Sequence, residues 1–405
     1  MVVDSIDVND SSGSKANVAL IQNLHAGGFE VTVYHYTRRD IQLSGITCYS
    51  IPEIRYSPLY FISRLQRVLQ RNSKLNLAPF MEGLFGFSFT FFNDTNSILR
   101  ALRKMTHEPD LVITLSKGAS FRPHYAMLKC KTLHRKWLAY IHDPYPFHYY
   151  PRPYNWVESS YKAKEVFFEN LAKKAKYSGF PSLLLQEWMG SYFPDFLRTG
   201  HVIPHQNTHY QITDVNFPSY FDLSNFNLLH AGNLMKQRSP EGLINGFNLF
   251  LQRHPDARVN SRLLLLGPAS YHAALLGKFK DVPEIYIQDE NIAFDLVYKL
   301  QMNATVNIIL ESKAEISPFL PAKFPHCIEA DKPILLLGPY YSETRRLLGV
   351  DYPYYSEADD INGIANHISA LYVAWQRDPA GMALGRTDLQ HYLSAAHLKD
   401  LITNL

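Results

Sequence analysis

Three cysteines in 405 residues, Cys48, Cys130 and Cys327, are too few and too far apart for a disulfide framework. No CxxC pair and no Cys/His ligand spacing occurs, so the sequence predicts small buried thiols and no metal site. No run approaches the ~18 consecutive apolar residues of a bilayer span, which argues against an integral membrane protein. The opening residues, MVVDSIDVNDSSGS, contain no basic stretch, long apolar stretch or small-residue cleavage site. No secretory signal is expected there, and the expected location is the cytoplasm. Neither sign of charge dominates: 40 Lys+Arg against 37 Asp+Glu leave +3, too balanced for a chain that coats nucleic acid. The short motifs of common nucleotide enzymes and hydrolases are missing as well. No G-x-G-x-x-G follows a predicted strand, Asp10–Lys15 (DSSGSK) lacks phosphate-loop spacing, and no G-x-S-x-G elbow marks a nucleophile.

What is present is a globular composition, 46% apolar and 19% charged. At roughly 150 residues per domain the length suits two domains. Aromatic residues reach 13%, many of them beside Pro and His in predicted loops. Aromatic-lined clefts suit sugars or lipids, although core packing accounts for most such rings.

Val2–Ile6 is a short apolar start and Asp7–Lys15 a turn-rich loop. Ala16–Leu24 has helical spacing and Glu30–Tyr36 (EVTVYHY) reads as a strand, which completes a βαβ unit. A helix is predicted over Ser97–Met105, buried strands over Leu111–Leu115 and Trp137–Ile141, and the last strands of this half at Leu183–Leu185 and His201–Ile203. From Phe226 the alternation restarts. Strands are predicted at Phe226–His230, Arg262–Leu266, Ile285–Ile287, Thr305–Leu310 and Ile334–Leu337. Helices are predicted at Ser239–Arg253, Tyr271–Phe279, Ile292–Leu300 and Lys323–Ala330, with terminal helices at Ile361–Trp375 and Thr387–Leu401. Apolar strands alternating with helices imply parallel sheets covered on both faces. The expected fold is α/β, with two Rossmann-like, doubly wound parallel-sheet domains. Their expected extents are residues 1–205 and 226–380, joined by a connection over 206–225 and followed by a C-terminal helix over 381–405.

Such sheets bind ligands at the carboxyl ends of their strands. Strand Phe226–His230 runs into Ala231-Gly232-Asn233-Leu234 and then Lys236, Arg238, Ser239 and Pro240, a glycine turn followed by basic residues and a helix start. An amide near Gly232 and the fork of Arg238 suit a diphosphate. Strand Thr305–Leu310 leads into the loop Glu311–Ala322, where Ser317, Pro318, Pro321 and Lys323 make a rigid turn with a second set of donors. Both elements belong to one sheet, so one anionic ligand can touch both.

These residues resemble a GT-B glycosyltransferase, most closely family four of the retaining enzymes, whose relatives act in bacterial polysaccharide and cell-surface glycan synthesis. The family pattern strand-G-x-L-x-x-x-[KR]-x-P/G-x-x-L-I is similar to HAGNLMKQRSPEGLI, and LLLLGP at Leu263–Pro268 and PAKFPHCIEADKPILL at Pro321–Leu336 match further segments. The resemblance implies two lobes facing across a cleft and a nucleoside diphosphate sugar as donor substrate, with no cofactor and no metal. It implies that Arg238 and Lys323 contact the donor diphosphate, with Gly232, Asn233 and Ser317 around it, and that the turn Gln288–Ile292 flanks the nucleobase. The sequence also departs from the pattern. His326 stands where the family usually has the acidic residue that holds the ribose, Glu329 lies one helical turn later, no E-x7-E pair occurs, and Asn233 replaces a common arginine.

In the first half, the loop Ser11–Lys15 resembles the GT-B loop that faces the donor, which makes Gly13 and Ser14 donor-side candidates. His142 and Asp143, followed by Pro144, sit at the carboxyl end of the strand WLAYI, where they can deprotonate or orient an acceptor hydroxyl. Asp143 is favoured because an ordinary carboxylate is ionised at neutral pH. Tyr60–Lys74 places Arg64, Arg67, Arg71 and Lys74 at helical spacing beside Phe61, Leu65, Val68 and Leu69, and the aromatic run Leu84–Phe92 follows. Residues 60–92 therefore suit peripheral contact with an anionic membrane, as a lipid-linked acceptor would require. The expected activity is sugar transfer to a sugar hydroxyl of a glycan or lipid-linked acceptor. Alternatives are a nucleotide-sugar epimerase of the same two-lobe build and a non-catalytic carbohydrate-binding protein.

Overall fold

The computed structural model describes residues 1–73, 78–105, 108–207 and 216–405. They form two compact units, one of Met1–Tyr150, Tyr154–Gln206 and Ala395–Leu405, the other of Pro151–Pro153 and Asn207–Ser394.

The first unit is built on strands β1 (Val2–Val3), β2 (Thr32–His35), β3 (Thr47–Ser50), β4 (Val112–Leu115), β5 (Trp137–Tyr140), β6 (Tyr177–Phe180) and β7 (Gly200–Val202). They pair in the order β3-β2-β1-β4-β5-β6-β7, all parallel. Successive strand residues point to opposite faces, so apolar runs such as VITL and WLAY feed two cores. Val112, Trp137 and Ala139 pack with Phe121, Phe167 and Phe168 on one face. Ile113, Leu115, Leu138 and Tyr140 pack with Val18, Ile21 and Leu24 on the other. Truncating a side chain such as Phe168, which is fully buried, should cost about 3 to 5 kcal/mol.

The second unit carries β8 (Phe226–Ala231), β9 (Ser261–Leu266), β10 (Ile285–Gln288), β11 (Val306–Leu310), β12 (Ile316–Ser317), β13 (Ile334–Leu337), β14 (Tyr341–Ser342) and β15 (Tyr355–Ser356). Its main parallel sheet runs β10-β9-β8-β11-β13-β15, and β12 pairs with β14 in a separate two-stranded sheet. β8 and β11 are neighbours while β9 and β10 lie on the far side of β8, so the chain reverses direction beside β8. Both loops singled out in the sequence leave strands at that reversal, where a parallel sheet opens a crevice.

Several elements differ from the sequence reading. Leu183–Leu185 opens a helix, Leu183–Tyr192, because the Ser182 hydroxyl caps it by accepting from the Leu185 amide at 3.0 Å; the strand is Tyr177–Phe180. Ser11–Lys15 is the first turn of helix Ser12–Ala26 with Ser11 as its cap, not a free loop. Tyr271–Phe279 breaks into three short turns around Gly277. The expected terminal helix divides into Thr387–Tyr392 and Ala395–Thr403, and the second piece joins the first unit, where Leu398 packs with Val18 and Leu24. Of the connection expected over 206–225, residues 208–215 lie outside the described residues.

Candidate functional site

In the second unit β8 is buried along its whole length and turns at Gly232, whose φ of +150° lies outside the range side chains favour. A Cβ at Gly232 would stand 3.1 Å from Lys323 Nζ, so glycine opens the room that the ammonium occupies. Lys323 Nζ lies 3.4 Å from His230 Nδ1. Arg238 donates to the Asn233 carbonyl at 3.2 Å, while its Nε is buried without a hydrogen-bond partner. Among the described residues neither Lys323 nor Arg238 forms an ion pair with a carboxylate. Burial first, and Arg238 beside it, push Lys323 down to about 7. Burial, Lys323 and Arg238 hold His230 well below the usual histidine range, so it is neutral. A desolvated ammonium beside a second cation is destabilised by repulsion and favours an anion between the two.

The third element is Glu311, which the sequence reading passed over as part of a loop. It follows β11 directly, is 3% exposed, and takes its register from its backbone N–H, which donates to the Leu337 carbonyl at 2.7 Å. Its Oε1 accepts from the Thr344 hydroxyl at 2.7 Å, and the Ser342 and Ser317 hydroxyls face the same carboxyl. The space exists because residue 338 is glycine: a Cβ there would stand 2.8 Å from Glu311 Oε2. Burial pushes the carboxyl up to about 7, against the opposing pull of Thr344, Ser342, Arg238 and Ser317. Ser317, 7% exposed, pairs through β12 with Ser342 of β14, two residues before Thr344.

His326 lies on helix Phe324–Glu329 with its ring 5.4 Å from Phe294 and 5.5 Å from Tyr298, an aromatic setting where the resemblance implies a carboxylate. Glu329 closes the same helix, and Asn233 is exposed on the turn after β8.

In the first unit His142 Nε2 lies 3.0 Å from Asn17 Oδ1. Asn17 Nδ2 donates to the Ser5 carbonyl at 3.2 Å and the Ser116 carbonyl at 3.1 Å, which fixes Oδ1 as the acceptor and makes His142 Nε2 the donor. Only Nδ1 of His142 is left to accept a proton. Burial, His205 and His124 hold the ring neutral, well below the usual range. Burial pushes Asp143 up to about 6, and a hydrogen bond from Tyr150 opposes the rise. The carboxylate is therefore not an ordinary one, as the sequence reading supposed, yet it remains mostly ionised at neutral pH. Gly13 lies against the Gly118 amide, 3.2 Å from where its Cβ would be, and the Ser14 hydroxyl pairs with the Ser11 cap at 3.0 Å. Asn17 and Tyr150 were missed because the partners they fix lie at distant positions or on another element.

Helices Pro58–Ser73 and Ala78–Phe85 expose large apolar side chains: Phe61 is 62% exposed, Leu65 59%, Phe80 67% and Leu84 65%. Arg64 and Arg71 share the first helix; Lys74 and the side chains of Arg67 and Leu69 lie outside the described residues. Among the described residues no helix is long and apolar enough to cross a membrane.

No protein-family model matches the sequence, and no curated protein matches it. Solved structures do. An α,α-trehalose-phosphate synthase (UDP-forming) from Burkholderia xenovorans in complex with glucose-6-phosphate superposes with a TM-score of 0.62 at 11% identity, over 100% of this chain and 98% of that one. A structure described as trehalose-6-phosphate from E. coli bound with UDP-2-fluoro glucose gives 0.60 at 11% identity, over 100% and 98%. HepE of Anabaena in complex with UDP and glucose gives 0.60 at 11% identity, over 100% and 98%. At that identity the likeness establishes the fold: the chain has the GT-B architecture, two Rossmann-like units with parallel sheets.

Proposed function

We propose that the protein is a glycosyltransferase, similar to family four, that moves a sugar from a nucleoside diphosphate sugar to a hydroxyl of a glycan or lipid-linked acceptor. The observation that carries this reading is the pair Lys323 and Arg238 at the sheet reversal, the lysine ammonium desolvated beside the half-exposed arginine and no carboxylate paired to either among the described residues. A diphosphate supplies the missing charge. The complexes of UDP with neighbours of the same fold support the choice of ligand. Gly232, Asn233 and Ser317 supply the surrounding contacts, with His326 and Glu329 on the ribose side and Gly13 and Ser14 as further donor-side contacts.

In this reading Lys323 and Arg238 stabilise the charge that develops on the departing diphosphate, so transfer proceeds without a metal or other cofactor. Asp143 accepts the proton of the acceptor hydroxyl, and His142, fixed by Asn17, orients it. Through the exposed side chains of Phe61, Leu65, Phe80 and Leu84, with Arg64 and Arg71, residues 60–92 rest on an anionic membrane surface at the cytoplasmic side, which brings a lipid-linked acceptor within reach.

The test is a panel of nucleoside diphosphate sugars incubated with and without sugar acceptors. Acceptor-dependent release of a nucleoside diphosphate supports transfer. An altered donor sugar with no acceptor present would identify an epimerase instead. The aromatic setting of His326 favours one further alternative, a carbohydrate-binding protein without turnover, and sugar binding with no release from any donor would identify it.

A further inference from the structure

The first unit sets acids beneath cations at the carboxyl edge of its sheet, the side on which parallel sheets take ligands. Asp4 follows β1, and its Oδ1 accepts from Arg122 Nη1 at 3.2 Å. Asp94, on helix Phe89–Leu102, accepts through Oδ1 from the Arg38 guanidinium at 2.7 Å and from the Tyr36 hydroxyl at 2.8 Å, and its Oδ2 stands 3.3 Å from Arg122 Nε. The two carboxylates are 1% and 0% exposed, whereas the Arg122 and Arg38 side chains are 31% and 40% exposed. Buried acids therefore fix both guanidiniums from behind and leave part of each open to solvent. Arg122 spends Nη1 on Asp4 and turns Nε to Asp94, and among the described residues no hydrogen bond occupies its Nη2.

The backbone is strained at both arginines. Arg38 itself has a φ of +63°, and Phe121, fully buried and directly before Arg122, has a φ of +47°. Bulky residues hold such conformations only where their surroundings impose them. The layering repeats in adjoining loops. Arg39 pairs with Asp7 at 3.0 Å and Lys117 with Asp10 at 2.5 Å, while Glu53 lies 3.8 Å from Arg38 and 3.9 Å from Arg64. In each of these pairs the cation is the more exposed partner. The candidate base adjoins this face: Asn17, which holds His142, donates to the carbonyls of Ser5 and Ser116, the residues next to Asp4 and Lys117.

A phosphoryl group offers three acceptor oxygens and meets oriented arginine forks bidentately, whereas a neutral sugar leaves those forks unused. We propose that Arg38 and Arg122 bind a phosphoryl group carried by the acceptor, while the acceptor hydroxyl lies at His142 and Asp143. This inference rests on the transferase reading and adds a substrate class to it. Two kinds of acceptor share that chemistry, a soluble sugar phosphate and a glycan joined to lipid through phosphate.

The test compares hexose monophosphates, the same free hexoses and a short-chain polyprenyl-diphosphate sugar as acceptors for the full chain supplied with UDP, GDP, ADP or dTDP sugars. A phosphorylated acceptor should exceed its free hexose in kcat/KM by about tenfold or more, the scale of a hydrogen bond to a charged group. Activity with the hexose phosphates identifies the soluble source, and activity confined to the polyprenyl compound identifies the lipid-linked one. Arg38→Lys and Arg122→Lys keep a cation beside Asp94 and Asp4 but lose the fork, so both variants should fold. Each should raise KM for the phosphorylated acceptor and leave kcat, and donor affinity by calorimetry, nearly unchanged, a split that a merely structural role would not produce. Inorganic phosphate should compete with the acceptor on wild type and more weakly on both variants. Free hexoses used as well as their phosphates, or a preference for phosphate kept in both variants, would overturn the inference and leave the transferase reading standing. No release of a nucleoside diphosphate with any acceptor would overturn the transferase reading, and this inference with it.

Discussion

His142 and Asn17, 125 positions apart, are joined by a hydrogen bond of 3.0 Å that assigns the histidine its tautomer. Because Asn17 spends its amide hydrogens on two backbone carbonyls, Nε2 must donate, and proton acceptance at this strand end falls to Nδ1 or to Asp143. Asn17→Ala should release the ring and lower turnover. Turnover of a folded Asn17→Ala variant equal to wild type would count against any role for the ring's orientation.

Asp143→Asn should lower kcat at least about 100-fold with donor affinity nearly unchanged, the signature of a lost general base. The pH profile gives a second check. Burial raises the carboxyl to about 6, and the base is active only when ionised, so kcat/KM should fall as pH drops below about 6. A wild-type profile without that acid limb, together with near-normal turnover in Asp143→Asn and His142→Ala, would return the segment to a structural turn.

Arg238→Ala or Lys323→Ala should each weaken nucleoside diphosphate binding by about 1.5 to 3 kcal/mol, the scale of a hydrogen bond to a charged group. Calorimetry on folded variants checks this. The same cations should make turnover indifferent to EDTA. If chelation abolished activity and Mg²⁺ or Mn²⁺ restored it, the assignment of leaving-group charge to Arg238 and Lys323 would be wrong.

Replacing Phe61 and Leu65 together by Ser should leave the fold intact, since both side chains are already mostly exposed, and should weaken binding to vesicles containing anionic lipid. Binding of wild type that ignored lipid charge and salt, or was unchanged in the double variant, would remove residues 60–92 from the membrane.

The sheets were legible because runs such as LVITL, WLAYI and RLLLL are apolar over a full strand, and burial on both faces demands that pattern. The turn at Gly232 was legible because a glycine directly follows the apolar strand β8. Glu311 was not. A glutamate after a strand reads as a loop residue, and its burial is decided by Gly338 and Thr344, far downstream in sequence. Leu183–Leu185 was misread for a similar reason. A short apolar run reads equally as a buried strand or a buried helix turn, and the Ser182 cap together with the helix propensity of leucine decides for the helix.

The burial of Glu311 also makes a prediction about stability that is independent of any ligand. Its carboxyl ionises near 4.5 in an unfolded chain and near 7 in the native state, so the native state binds the proton more tightly. Stability from this group is therefore fully present below about pH 4.5 and is lost as pH rises towards 7, by a few kcal/mol in order of magnitude. Lys323 acts in a different window. Its native value is depressed from 10.5 to about 7, so the stability it contributes is lost as pH falls through that higher range. Comparing Glu311→Gln with wild type cancels the lysine. Urea unfolding should show the variant gaining on wild type as pH climbs from about 5 to 7, because glutamine cannot ionise. A stability difference that stayed constant across that range would mean the carboxyl titrates at its ordinary value, and the cluster of Thr344, Ser342 and Ser317 around it would not hold a desolvated acid.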